Sequence, residues 1–119
     1  MEKIFEQGIL YDFYGELLTA HQQKIYEDAV YNDMSLGEIA EEAGISRQGV
    51  HDLIKRCDRI LSDYEEKLHL VERFTEAKQT VGHILKLTDE VLQEKGLEKQ
   101  TEDRLLAVKE LSGRLLEEL

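Results

Sequence analysis

Apolar residues recur along this chain at intervals of three and four, the spacing that places them on one face of a helix. Ile9, Leu10, Phe13, Tyr14 and Leu17 form the first such stripe and predict a helix over 4–17. Thr19 followed by Gln22 has the spacing of a reciprocal helix start, in which the hydroxyl accepts a backbone N–H and the longer side chain returns the bond. A second helix therefore begins there, burying Ile25, Tyr26, Ala29 and Val30 and fading near Asn32 and Asp33. Ser35 and Glu38 repeat the spacing and open a third helix with Leu36, Ile39, Ala40 and Ala43 on one face. Gly44 stops it, because glycine takes the left-handed conformation of a helix end without a Cβ clash. Ile45 plugs the corner, and Ser46 caps a fourth helix whose inner face is Val50, Leu53, Ile54 and Cys57. Gly49, in its first turn, costs helix propensity and leaves room for a close approach.

No Gly or Pro interrupts residues 50–81, so one long helix can run through them; Ser62 with Glu65 offers a third start and hence the alternative of a break. Further on, Leu70, Ala77, Ile84 and Val91 recur every seven residues beside Val71, Phe74, Val81, Leu85 and Leu92. That wide stripe is made for helix packing. Gly96 is expected to end it, with Lys95 at the negative end of the helix dipole, and Thr101 to cap a last helix carrying Leu105, Val108, Leu111, Leu115 and Leu119. The short connection 96–100 favours an antiparallel pair. The fold expected is all-α: a helix-turn-helix head of about four helices over 1–61, then a helical hairpin extension over 62–119 that serves packing or dimerisation.

Composition agrees with one small helical protein. The 119 residues are 41% hydrophobic and include no Pro or Trp. No apolar run approaches membrane-spanning length and the start, MEKIFEQG, lacks a signal-peptide layout, so a cytoplasmic chain with no membrane partner is expected. Cys57 is the single cysteine, which excludes an internal disulfide and a cysteine-based zinc site and reads as a buried thiol. His21, His51, His69 and His83 share no spacing. Glu66 with His69 has the interval used in di-iron bundles, yet no second Glu-x-x-His exists to complete such a site. Nor is there a glycine-rich phosphate loop or a nucleophile with a supporting base. Catalytic residues, cofactors and metal ligands are all expected to be none, and the chain is not expected to be an enzyme. The acidic pairs Glu41–Glu42, Glu65–Glu66 and Glu117–Glu118 read as solvated faces.

Charge changes the picture. The net value is −11, but it is unevenly spread. Residues 1–45 carry two basic and ten acidic side chains, and residues 61–119 carry nine and fourteen. Residues 46–60 carry four basic against two acidic, net +2, and so form the one positive segment of the three. It coincides with the second helix of a helix-turn-helix unit spanning 35–56. Ala40 is small where two helices cross, Gly44 sits four residues later at the turn, and Val50 with Leu53 points inward. Arg47, Gln48, His51, Lys55 and Arg56 then point outward. Ser46 can donate to a phosphate, Arg47, Gln48 and His51 face base edges, and Lys55, Arg56 and Arg59 grip the backbone of double-stranded DNA. A single head makes few phosphate contacts from an acidic surface, so a homodimer joined through the 66–119 stripes is expected.

The stretches YDFYGELLT (11–19), SLGEIAEEAGISRQGVHDLIKR (35–56) and YEEKLHL (64–70) together resemble the YlxM family of small bacterial proteins, over roughly residues 9–75. The family's helix-turn-helix is similar to region 4 of bacterial sigma factors, whose last helix enters the major groove. Family genes commonly lie beside those for the signal recognition particle and its receptor. The resemblance thus implies a regulator or accessory factor of protein targeting, with DNA, or else a protein or RNA of that particle, as partner. In the alternative, a non-DNA-binding adaptor presents its acidic surface to such a partner. The matching positions of the second helix are Ser46, Arg47, Gln48, Val50, Asp52, Ile54, Lys55 and Arg56. Gly49 and His51 stand where the family pattern implies alanine and an aromatic residue, which alters the base-reading preference.

Overall fold

The computed structural model describes residues 2–119, with side chains from Lys3 onward. The described residues form six α-helices and no strand: α1 (Glu2–Tyr14), α2 (Ala20–Val30), α3 (Leu36–Ala43), α4 (Arg47–Leu68), α5 (Leu70–Leu92) and α6 (Lys99–Glu118). They divide into two compact units meeting between Val71 and Glu72.

In the first unit the local signals are realised as hydrogen bonds. Both bonds of the Thr19–Gln22 box form, at 2.9 and 3.2 Å, as do both of the Ser35–Glu38 box, at 3.0 and 3.1 Å. Gly44 ends α3 at φ 72°, left-handed, with its N–H returning to the Ala40 carbonyl. Two contiguous clusters make the core: Tyr14, Leu18, Tyr26, Cys57 and Leu61 in one, Ile25, Ile39, Ala40 and Val50 in the other. Leu53 and Ile54 pack against both. α4 is thus the spine on which α1, α2 and α3 lie. Burial pushes the Cys57 thiol up to about 11, so it stays protonated and acts as a small apolar side chain.

Several expectations are corrected. The first helix does not run to residue 17; it gives way to a 3₁₀ turn over Gly15–Leu17. The tighter turn advances the side chains faster around the axis, so Leu18 is buried and Leu17 is left 56% exposed. A Cβ at Gly15 would meet the Tyr11 ring at 2.8 Å, so that turn requires glycine. Leu36, Ala43 and Ile45 end up on the outer surface, because the short α3 buries only Ile39 and Ala40. Of the two courses open to it at Ser62, α4 takes the unbroken one and continues to Leu68.

Two devices hold this unit that apolar spacing did not announce. Four tyrosines end on carboxylates: Tyr11 on Glu27, Tyr14 on Glu65 (2.5 Å), Tyr26 on Asp58 (2.6 Å) and Tyr31 on Asp12 (2.5 Å). Burial first, and the adjacent carboxylate second, raise all four phenols above their ordinary value. The other device is the corner between α4 and α5. His69 takes φ 56°, turning the chain in a left-handed residue without glycine. The first two N–H groups of α5 are then satisfied from elsewhere in the unit. Leu70 N–H donates to the Tyr14 hydroxyl (3.1 Å) and Val71 N–H to the Glu65 carboxylate (3.0 Å).

The second unit is a helical hairpin. Val81 and Thr88 of α5 are buried, with Phe74, Ala77, Leu85 and Leu92 half-buried along the same line. The Thr88 hydroxyl donates to the Ile84 carbonyl (2.7 Å), which satisfies it within its own helix. Leu105, Ser112 and Leu116 form the half-buried line of α6, and Lys109 pairs with Asp89 at 2.9 Å. The ends differ from expectation. α5 stops at Leu92, Gly96 (φ 80°) serves the loop, and Glu98 precedes α6 without a side-chain cap. Thr101 therefore lies inside the first turn of α6 and not ahead of it. No helix of the described residues is long and apolar enough to cross a membrane.

Candidate nucleic-acid interface

The site is the outer face of α4 and begins with its cap. The Ser46 hydroxyl accepts from the Gly49 N–H at 2.9 Å, satisfying one of the free donors of the first turn. A Cβ at residue 49 would stand 3.1 Å from that hydroxyl oxygen, so glycine clears the space the cap occupies. From there the inward series Val50, Cys57 and Leu61 fixes the rotation of the helix. It leaves Ser46, Arg47, Gln48, His51, Lys55, Arg56 and Arg59 all exposed.

Their individual settings differ. Arg47 lies back over α3: a Cβ added at Gly37 would come within 3.1 Å of its guanidinium, so Gly37 leaves the room this side chain uses. Gln48 donates to Asp52 at 2.9 Å one turn on. Arg56 lines a recess with Thr19, His21 and Asp52 beside the start of α2, and Lys55 and Arg59 line a cleft between α1 and α4. Beyond Ser46 at the cap, the other six fall in two groups: Arg47, Gln48 and His51 near the turn, Lys55, Arg56 and Arg59 on the two turns beyond.

Two neighbours extend this set. Lys3, from α1, converges on Lys55; the facing ammonium is the largest cause lowering the Lys55 pKa. Charge counting could have drawn attention to it, since Lys3 and Lys24 are the two basic residues before Arg47, but only the packing of α1 on α4 puts it there. Asp52 is the other. It is exposed between Gln48 and Arg56, and an acid on that face can accept from a cytosine amino group while repelling phosphate. Asp58, by contrast, is turned inward and accepts from Tyr26 and from Gln7 (2.9 Å). No group of three or more potential metal ligands occurs among the described residues.

This arrangement agrees with what the chain is similar to. A family model described as "Putative helix-turn-helix protein, YlxM / p13 like" matches residues 1–104. A UPF0122 protein of Acetivibrio thermocellus is 51% identical over 86 residues, 72% of this chain and 74% of its own. One from Desulforamulus reducens is 42% identical over 89 residues, 75% of this chain and 76% of its own. One from Geobacillus sp. (strain WCH70) is 41% identical over 111 residues, 93% of this chain and 98% of its own. No solved structure matches. With its two capped helices, the left-handed glycine between them and a match over most of its length, the chain belongs to the UPF0122 family of YlxM/p13-like helix-turn-helix proteins.

Proposed function

We propose that the protein is a DNA-binding regulator that lays α4 in the major groove. The observation that carries this reading is the coincidence of geometry and charge. The exposed face of the helix after the turn carries net positive charge, +2 over residues 46–60, on a chain of net −11. Arg47, Gln48 and His51, near the N-terminal end of the helix, are the groups that meet base edges. To do so, Arg47 swings off Gly37 and Gln48 exchanges Asp52 for a base. Lys55, Arg56 and Arg59, with Ser46, contact phosphates on the groove's rims. The surrounding acidity makes binding local and short-range, and two heads held together by the second unit give it useful strength. A mobility-shift selection from genomic fragments tests the reading. Arg47→Ala then loses specific binding by about 1–3 kcal/mol, whereas Lys55→Ala weakens all sequences alike and lowers the salt slope by about one. Equal binding by parent and Arg47→Ala would remove the groove contact.

A second reading rests on the net charge of −11. Here the helix-turn-helix is an inherited scaffold and the acidic surface meets a basic component of the signal recognition particle. Pull-down with that particle's protein subunit, with and without its RNA, separates the two readings. Retention in neither case discards this one.

A further inference from the structure

The half-buried line of α6 is Leu105, Ser112 and Leu116, with the paired Lys109 between them. One position earlier at each step runs a second line: Arg104, Val108, Leu111, Leu115 and, one turn on, Glu118. Its apolar members are open to solvent; Leu111 is 62% exposed and Leu115 49%. α5 repeats the pattern. One position before Val81, Leu85, Thr88 and Leu92 stand Thr80, Ile84, Leu87 and Val91, of which the first three are exposed and Val91 is half-buried. Both outer lines are displaced from their inner line by the same rotation, and the two helices run in opposite directions. The displacements therefore emerge on one side of the hairpin, and the two lines form one apolar face.

The charges of α6 say what covers that face. Arg104 lies seven residues before Leu111 and Glu118 seven residues after it. In an antiparallel pair of α6 helices with a two-fold axis at Leu111, each Arg104 meets the Glu118 of the other copy. The Asp89–Lys109 pair sets Leu87 level with Leu111 across the hairpin, so one axis serves both helices. Leu87 then meets its own counterpart, and Ile84 meets Val91. We infer that the protein dimerises by stacking two such hairpins face to face into an antiparallel four-helix bundle, with the two-fold axis passing at Leu87 and Leu111. This supplies the surface for the pairing that the DNA-binding reading asks for, but it is tested without DNA.

Light scattering across a concentration series reaching about 100 μM should give the mass of two chains. Leu111→Glu should give one, with helical circular dichroism unchanged because the residue is a surface one in the single chain. Arg104→Glu should raise the dimer dissociation constant about tenfold by setting two acids against each other, and the double variant Arg104→Glu/Glu118→Arg should restore it. In a parallel pair Arg104 would face Arg104, and the single reversal would change little. Leu111→Cys should also oxidise to a covalent dimer, the native Cys57 being buried. A monomeric parent at the highest concentration, a dimeric Leu111→Glu, or a double reversal no tighter than the single one overturns the proposal. A parent that dimerises but binds no DNA would instead count against the groove contact and leave the dimer standing.

Discussion

The two units of this chain are made of the same element and are held by different means. In the first, three helices lie along a fourth, and seven large side chains, two of them tyrosines, are buried to below 2% exposure. In the second, two helices meet along one line each, and none of the described residues of α6 is buried. The first unit joins distant positions by directed polar bonds, Tyr26 to Asp58 and Tyr14 to Glu65. In the second, Asp89 pairs with Lys109 between the helices, at half-exposed positions where such a pair is worth little. The difference shows where each unit's stability must come from. The first can close its own core, whereas the second leaves Ile84, Leu87, Val108, Leu111 and Leu115 exposed and gains most by adding helices.

Core truncation should break this comparison most visibly. Leu61→Ala, at a fully buried position of α4, should cost about 2–5 kcal/mol in chemical denaturation. In the monomeric Leu111→Glu background, Leu115→Ala should cost well under about 1 kcal/mol, since Leu115 is 49% exposed there. Equal losses would mean that the two units are not held differently.

Alkali should separate them next. Tyr11, Tyr14, Tyr26 and Tyr31 all belong to the first unit, and all have raised pKa values in the folded state. Folding therefore favours the protonated phenol. The stability this contributes is complete below the unfolded value near pH 10 and is lost as pH climbs toward the folded values. Absorbance of phenolate at 295 nm should accordingly rise together with loss of the first unit's structure, and not ahead of it. Free titration of those four rings in the intact fold would contradict the tyrosine–carboxylate pairing.

Smaller effects sharpen the motif itself. Gly44→Ala forces a side chain into the left-handed end of α3, at φ 72°, and should cost about 1–2 kcal/mol in thermal or urea melts. Ser46→Ala removes the bond to the Gly49 N–H and should cost about 1 kcal/mol. In the cap variant, DNA binding should weaken beyond what the stability loss explains if Ser46 also reaches a phosphate. Unchanged binding would leave it a cap alone.

What was legible in the sequence was what is decided within a turn or two of chain. Thr19–Gln22, Ser35–Glu38, Gly44 and Ser46 are local arrangements whose hydrogen bonds close over three or four residues, and they form as their spacing implied. The outward set on α4 was legible for the same reason, because the inward series Val50, Leu53, Ile54 and Cys57 fixes the rotation of a helix. Ser62 with Glu65 carried an equally good local signal and failed, since Glu65 is engaged by Tyr14, fifty-one positions away, and α4 gains by continuing through it. The tyrosine–carboxylate pairs were hidden because tyrosine at helical spacing reads as core, while its hydroxyl chooses a partner through the fold. The convergence of Lys3 on Lys55 was hidden likewise: it joins the two ends of the first unit and depends on α1 lying against α4.

The α4–α5 corner has a consequence for how the chain is made. The first two amides of α5 are satisfied by Tyr14, near the start of the chain, and by Glu65. During synthesis the tyrosine leaves the ribosome more than fifty residues ahead of the amide it will accept from. α5 can gain this start only once the early helices have been gathered around α4. The order of emergence thus coincides with the order of dependence: the head is complete at the moment the extension needs it, and the exposed leucines of the hairpin emerge after it, when a folded head already accompanies them.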